Sequence, residues 1–355
     1  MRRTKVLLVG DYPPPYGGVS VQIEVLRRRF TATPGVTCRV LDIGEARQAR
    51  RPECLPVRNP VDFAGKLFFH AAAQYVIHLH TNGHNVKSWV VSSICAAAGM
   101  LNGRKTVVSI GSGSASDFVQ NAGWPLRMLI RATLSLTGAV ICRNERTRTA
   151  MIGLGIPATK VMVRPGFYGV SADEATEVPG PIEQFLRRHS PVLAAMGSSA
   201  REYGIPLAVE AATRLRAGYP ALGLLLIGRA THDAPDLDGD LMVTGELPHD
   251  VALSIMRQVS VFIRPTYFDG DASSVREALA LGVAVVASDT DFRPDGVILF
   301  RKGDASDLAE RIAGALRSGP RPVSADRPVR ASSPDQLLDL YGQVPRQPRF
   351  AGGPA

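Results

Sequence analysis

Two successive α/β domains with parallel sheets are the fold class that this sequence predicts. Short β-branched runs alternate with amphipathic segments from KVLLVG onward, and the same alternation starts again at PVLAAMG and continues to residue 318. Strands that are apolar throughout and separated by helices are typical of a parallel sheet covered on both faces. A chain of 355 residues, 45% of them apolar, is long enough to bury two such cores.

The first domain is predicted over residues 1–168. Its expected strands and helices follow one another as KVLLVG, VSVQIEVLRRRF, TCRVLDI, YVIHLHT, SWVVSSICAAAGML, KTVVSI, LRMLIRATLSL and AVICR. The apolar run from Trp89 to Leu101 holds 13 residues, and because a membrane-spanning helix needs about 20, we expect a buried helix there. Ligands of parallel α/β domains bind at the carboxyl ends of strands, so the residues that follow each strand are the candidates for a site.

Mixed polarity with several Gly and Pro over residues 169–190 predicts a linker and a lead-in helix before the second domain at 191–318. At 319–344 a Pro- and Arg-rich loop precedes an amphipathic helix, SPDQLLDLYGQV, which we expect to return to the N-terminal domain. The tail at 345–355 is predicted to be disordered.

The cysteines Cys38, Cys54, Cys95 and Cys142 lack the spacing of a zinc site. We therefore expect reduced thiols and no metal. The apolar run near the N-terminus is too short for a signal sequence. A cytoplasmic location is expected, with peripheral attachment to the inner face of the plasma membrane left open.

The basic residues are concentrated in the first half of the chain. Residues 1–165 hold 22 Lys and Arg against 8 Asp and Glu, whereas the remainder holds 19 against 24. Such a half favours anionic partners, namely a membrane surface, a phosphorylated lipid or a nucleic acid. Nucleic acid is disfavoured because no known binding motif is present. The segment PLRMLIRATLSL carries Arg127 and Arg131 on one helical face, which fits either a membrane-bound helix or an ordinary solvated one.

A glycine pair follows the first strand. In VLLVGDYPPPYGGVSVQIEVL, Gly17 and Gly18 precede a helix that should begin near Val19. Glycines let the backbone approach an anion at a helix N-terminus, so a diphosphate could bind here. A plain tight turn between strand and helix is the alternative.

A second stretch, RPTYFDGDASSVREALALGVAVVASD, carries two acidic residues around a helix N-terminus. Asp269 and Glu277 stand eight residues apart, and the helix should begin at Ser273 or Ser274. This pattern can hold phosphate on the amides and ribose hydroxyls on a carboxylate. Alternatively, Ser274 and Glu277 form a capping box that only stabilises the helix. The triplet Asp269-Gly270-Asp271 is compatible with a metal site, but Asp238-Gly239-Asp240 matches equally well, so we predict no metal.

These motifs occur in the order found in family 4 glycosyltransferases, which the chain resembles over residues 4–317. The resemblance is most specific at residues 261–289, where Asp269 to Glu277 supplies D-x7-E in place of the family's E-x7-E. It implies a GT-B fold with two Rossmann-like domains facing a central cleft, and a metal-independent, retaining transfer of sugar. By matching position, Glu277 would hold the ribose, Asp269 would lie near donor sugar hydroxyls, and the glycine pair would contact the diphosphate.

Three positions depart from the family pattern. Ser198 and Tyr203 stand where an Arg and a Lys usually neutralise the diphosphate, and Gly111 stands where a His is usual. His80 or His84 could replace the histidine. The candidates to replace the two cations are Arg201, Arg264 and Arg276.

The predicted catalytic residues are Asp269, Glu277 and His80. The predicted donor-binding residues are Gly17, Gly18, Ser198, Arg201, Arg264, Gly270, Asp271, Ser273, Ser274, Arg276 and Glu277. The sequence thus predicts a glycosyltransferase that uses a nucleoside-diphosphate sugar as co-substrate, needs no cofactor and extends a lipid-linked surface glycan. The alternatives are a non-catalytic GT-B protein that scaffolds polysaccharide assembly, and an epimerase or phosphorylase, for which no acid/base pair or lysine-bound cofactor is visible.

Overall fold

The computed structural model describes residues 4–49, 51–101, 103, 106–170, 176–229, 237, 239–290, 292–319 and 329–343. The chain divides into two compact units. The first consists of Met1–Tyr168 with Ser332–Ala355, and the second of Gly169–Ala331.

A parallel sheet forms the centre of the first unit. Its strands within the described residues are β1 (Thr4–Gly10), β2 (Val36–Asp42), β3 (Val76–Thr81), β4 (Val107–Ile110), β5 (Ala139–Cys142) and β6 (Val161–Val163). They pair in parallel in the order β2-β1-β3-β4-β5-β6. The order reverses between β1 and β3, and such reversals mark where parallel α/β domains bind ligands.

Helices cover both faces of this sheet. They are α1 (Gly18–Ala32), α2 (Pro60–Ala72), α3 (Val86–Leu101), α4 (Ala115–Asn121), α5 (Trp124–Leu136) and α6 (Glu145–Gly153). Leu7 and Leu8, adjacent on β1, are both fully buried in different core layers, because successive strand residues point to opposite faces. The side chains of Asn59 and Asn144 cap α2 and α6 by accepting hydrogen bonds from backbone amides.

The second unit repeats the design. Its described strands are β7 (Val192–Gly197), β8 (Gly223–Gly228), β9 (Leu241–Val243), β10 (Val261–Arg264), β11 (Ala284–Ser288) and β12 (Ile298–Phe300), in the parallel order β12-β11-β10-β7-β8-β9. The helices are α7 (Gly180–Arg188), α8 (Ile205–Leu215), α9 (His249–Met256), α10 (Ser273–Ala280) and α11 (Ala305–Ser318). The prediction of two parallel α/β domains is confirmed.

The last helix, α12 (Pro334–Gln343), belongs to the first unit. Tyr341 is buried against Phe30, and its hydroxyl lies 2.6 Å from Nδ1 of His78. Ser332 precedes the helix and donates a hydrogen bond to the carbonyl of Pro165 at 2.7 Å. Within the described part of the chain, no helix is both long enough and apolar enough to cross a membrane.

Candidate functional site

The strand order of the second unit reverses between β7 and β10, which pair directly. The two strands end at Gly197 and Arg264. At Gly197 an added Cβ would lie 3.1 Å from the carbonyl oxygen of Arg229, so a larger residue would crowd the turn. The block that follows β10 therefore lies where parallel α/β domains bind their ligands.

Helix α10 begins at Ser273 with Ala272 as its N-cap, and no side chain caps it. The alternative in which Ser274 and Glu277 form a capping box is therefore wrong. Because the helix starts two residues earlier than a Ser274 cap requires, Ser274 lies inside the first turn and Glu277 in the second. A helix start without a capping side chain presents its amides and its positive dipole end to an anion.

Glu277 pairs with a histidine from the neighbouring helix. Nε2 of His249, the first residue of α9, lies 3.0 Å from Oε1 of Glu277. The two side chains are only 10% and 16% exposed, Glu277 being the more buried. A carboxylate can accept about four hydrogen bonds, so this contact orients Glu277 and leaves capacity for a ligand hydroxyl.

Asp269, in the loop after β10, is held by two arginines whose side chains are almost entirely buried. Its Oδ2 accepts hydrogen bonds from Nε of Arg264 at 3.1 Å, from Nη1 of Arg293 at 2.6 Å and from Oγ1 of Thr266 at 3.3 Å. Its Oδ1 has a long contact of 3.5 Å with the amide of Asp271. The side chain of Asp269 is 5% exposed, so the loop presents a fixed carboxylate.

We expect this ion pair to make the stability of the protein depend on pH in strong acid. Burial favours the neutral carboxyl, but Arg264 and Arg293 outweigh it and lower the pKa of Asp269 from 3.8 to about 2. A carboxylate with a lowered folded-state pKa stabilises fully above its unfolded pKa, and that contribution is lost as pH falls through the folded pKa. The loss between about pH 4 and pH 2 should be about 2–3 kcal/mol.

Urea unfolding at a series of pH values measures this loss. Asp269→Asn removes the titrating group and should flatten the dependence of the unfolding free energy on pH in this range. Equal slopes in the variant and the unaltered protein would contradict the assignment.

Asp271 adopts a conformation that non-glycine residues rarely take, with φ of 127°. Its buried carboxylate lies 2.7 Å from Nε of Arg276, whose Nη1 donates to the carbonyl of Arg330 at 3.0 Å. Such strain costs about 1–3 kcal/mol and persists where surrounding contacts enforce it. The ion pair with Arg276 thus fixes the turn that leads into α10, and the neighbouring Gly270 is buried beside it.

The segment after β7 contains two of the departures from the family pattern. Ser198 accepts a hydrogen bond on Oγ from the amide of Ala200 at 3.2 Å, which is a local turn contact. The guanidinium carbon of Arg264 lies 4.8 Å from the ring centre of Tyr203. Arg264 thus extends from the end of β10 over the position where the family pattern has Lys, whereas Arg201 is exposed.

In the first unit, Gly17 and Gly18 lie at the start of α1, as the sequence predicts. The amide of Gly17 donates to Oγ of Ser20 at 2.8 Å, and that hydroxyl donates to the carbonyl of Pro15 at 2.8 Å. At Gly111 an added Cβ would lie 2.8 Å from Cγ2 of Val19, so a histidine there would require the Val19 side chain to move.

His80 is buried inside the first unit, whereas His84 is exposed. The ring of His80 lies 4.2 Å from that of His78, and among the described residues neither of its nitrogens has a hydrogen-bond partner. Burial, reinforced by His78 and Arg143, lowers its pKa well below the usual value. His80 is therefore neutral at physiological pH, and its catalytic role stays a prediction.

Arg293 and His249 were missed by sequence reasoning. Arg293 follows β11 in a proline turn, and His249 opens α9. Their positions after a strand and at a helix start were visible signals, but neither belongs to a recognisable motif.

The described residues contain no group of three or more His, Cys, Asp or Glu side chains arranged to hold a metal ion. Asp269 and Asp271 pair instead with different arginines. Asp238, from the other aspartate triplet, lies outside the described residues.

Residues 190–318 match the family described as glycosyl transferases group 1. Among solved structures, Anabaena HepE in complex with UDP is similar, with 14% identity, a TM-score of 0.63 and coverage of 96% of this chain and 95% of HepE. WaaG, a glycosyltransferase involved in lipopolysaccharide biosynthesis, has 13% identity and a TM-score of 0.64, with coverage of 95% of this chain and 100% of WaaG. Sucrose-phosphate synthase from Thermosynechococcus elongatus has 16% identity and a TM-score of 0.61, with coverage of 96% of this chain and 95% of the synthase. No curated relative matches the sequence.

The fold is therefore that of the GT-B glycosyltransferases, as the sequence resemblance implied. The match to the group 1 glycosyl transferases is confined to residues 190–318. The residues around α10 described above lie inside that range.

Proposed function

We propose that the protein transfers a hexosyl unit from a UDP-sugar to a glycan acceptor, with retention of anomeric configuration. The observation that carries the proposal is the placement of Asp269 and Glu277 around the uncapped start of α10, at the carboxyl end of β10. The relatives HepE and WaaG have the same fold, and HepE was solved with UDP and with UDP-glucose. This supports a uridine nucleotide as the donor.

Each element of the site has a distinct role in this proposal. Glu277, oriented by His249, accepts hydrogen bonds from the ribose hydroxyls. The amides at the start of α10, including those of Ser273 and Ser274, face the diphosphate. Asp269 stays ionised and accepts a hydrogen bond from the donor sugar, so it acts as a fixed acceptor and does not transfer a proton.

A retaining transfer in a GT-B enzyme does not demand a protein nucleophile, and we assign none. The rate then depends on positioning the acceptor hydroxyl and on stabilising the departing diphosphate. Arginines and helix amides supply positive charge for that purpose in this site, which supports a reaction without a metal ion.

Calorimetric and thermal-shift titrations with UDP, GDP, ADP and their common sugar conjugates, with and without EDTA, test the proposal. We expect one base to bind tightly, and binding to persist in EDTA. Binding of none of them would overturn the donor site, and loss of binding in EDTA would overturn the metal-independent mechanism.

The acceptor side of the proposal is a lipid-linked glycan reached from the inner face of the plasma membrane. On α5, Trp124, Arg127, Met128 and Arg131 fall at helical spacing and are all exposed, Trp124 by 75% and Met128 by 47%. An exposed face that combines basic residues with a tryptophan and a methionine is typical of a helix lying in a membrane interface.

We expect the protein to sediment with anionic vesicles at low salt and to be released at high salt, because salt screens surface attraction. Arg127→Gln with Arg131→Gln should weaken binding about thirtyfold, since each basic residue near such a surface contributes about 1 kcal/mol. Trp124→Ala should weaken binding at every salt concentration. The double variant Arg29→Gln with Arg39→Gln, both exposed in the first unit, is the control. Equal binding by all variants would contradict the assignment of this face.

A second candidate is a non-catalytic GT-B protein that binds a nucleotide sugar and scaffolds polysaccharide assembly. Ser198, Tyr203 and Gly111, at positions where the family pattern has charged or catalytic side chains, favour it. The two functions differ in a simple assay: the scaffold binds nucleotide sugar without releasing UDP in the presence of any glycan acceptor, whereas the transferase releases it.

A further inference from the structure

The two arginines on Asp269 use their N–H groups differently. Arg293 donates from Nε to the carbonyl of Ser288 at 3.0 Å, from Nη1 to Asp269, and from Nη2 to hydroxyls of Thr266 and Ser288 at 3.0 and 3.1 Å. Its side chain is 4% exposed. A guanidinium has five N–H donors, so Arg293 is almost saturated and fixed in place.

Arg264 uses fewer of its N–H groups in hydrogen bonds than Arg293 does. Among the described residues it donates to Asp269 through Nε, and its guanidinium lies over the ring of Tyr203 and interacts with the Tyr203 hydroxyl. The Nη1 and Nη2 edge, which forms a planar fork suited to phosphate or carboxylate oxygens, makes no charged contact there. Its side chain is 11% exposed. This edge projects from the end of β10 at the strand-order reversal.

Arg264, Arg293 and Asp269 together carry one more positive than negative charge, and the nearby Asp271 is itself paired with Arg276. Desolvation of a buried cation is costly unless an anion compensates it. Burial, with added repulsion from Arg264, lowers the pKa of Arg293 despite its contact with Asp269. The described cluster is thus short of negative charge, and an anionic ligand would relieve that shortage.

We propose that Arg293 is a positioning residue that neutralises Asp269 and thereby leaves the fork of Arg264 to bind an anionic oxygen of the donor diphosphate. The inference rests on the proposed function and deepens it. Arg264 supplies the positive charge that Ser198 and Tyr203 lack. Because Arg293 neutralises the Asp269 carboxylate, the charge of Arg264 remains for the diphosphate. Without Arg293, the carboxylate would draw Arg264 into a one-to-one ion pair.

The affinities for UDP and uridine, compared in each variant by calorimetry, test the inference. Their ratio isolates the contribution of the diphosphate, and uridine binding reports an intact fold and base site. Arg264→Gln should lower the ratio about tenfold to a hundredfold, as expected for hydrogen bonds between charged groups. Arg293→Gln should lower it about tenfold, with uridine affinity unchanged.

The decisive variant combines Arg293→Gln with Asp269→Asn. Removing both charges frees Arg264 again, so the ratio should return to within about threefold of the unaltered protein. A merely structural role for Arg293 predicts no such recovery. Arg293→Lys, which keeps the charge without the fork, should fall between the unaltered protein and Arg293→Gln, and it serves if the glutamine variant fails to fold.

The matched control is Arg214→Gln on α8, an exposed arginine of the same unit that pairs with Glu210. A ratio unchanged by Arg264→Gln, or no recovery in the double variant, would overturn the inference while leaving the donor site intact. Absence of binding of both UDP and uridine to the unaltered protein would instead overturn the proposed function.

Discussion

Replacing Glu277 with alanine is expected to abolish sugar transfer and to remove discrimination between ribose and deoxyribose nucleotides. Glu277 is nearly buried and is oriented by His249, so its carboxylate is a fixed acceptor for ribose hydroxyls that alanine does not replace. Loss of a hydrogen bond to a charged group costs about 1.5–3 kcal/mol. The affinity for UDP should therefore fall by about one to two powers of ten.

Calorimetry with UDP and with 2′,3′-dideoxy-UDP checks this directly. The unaltered protein should prefer UDP, and the Glu277→Ala variant should bind both alike. Glu210→Ala, which removes an exposed carboxylate from α8 of the same unit, is the matched control and should keep the preference. Wild-type transfer activity in Glu277→Ala would refute the assigned donor site.

Asp269→Ala is expected to have the other large effect, on both stability and transfer. The substitution leaves Arg264 and Arg293 buried without their carboxylate, and breaking a buried ion pair from one side costs about 3–5 kcal/mol. Transfer should be lost as well, because the carboxylate proposed to contact the donor sugar is gone.

Stability and chemistry can be separated with Asp269→Asn. The amide keeps the shape and one acceptor oxygen, so its loss of stability should be smaller than that of the alanine variant, while transfer should still fall. Denaturant unfolding and initial rates with a saturating donor measure the two effects. Full activity in the asparagine variant would show that the negative charge of Asp269 is not needed.

Local patterns determined the architecture and part of the site. Apolar strands alternate with amphipathic helices throughout both halves, and that periodicity depends on sequence alone. The position of Glu277 on α10 and of Asp269 after β10 follows from their spacing around one helix start. The start of α10 at Ser273 agrees with the prediction, whereas the alternative of a Ser274 capping box is wrong because Ala272 occupies the N-cap.

The sequence by itself determined that the chain forms parallel α/β domains and which block carries the acidic pair. Only the tertiary structure brought Arg293 to Asp269 across β10 and β11, and His249 to Glu277 from a separate helix. The reason is physical: helix and strand periodicities are local, whereas the partner of a buried charge is selected by which strand ends lie side by side. Which strand ends are adjacent depends on strand order, and in this order Asp269 forms ion pairs with both Arg264 and Arg293.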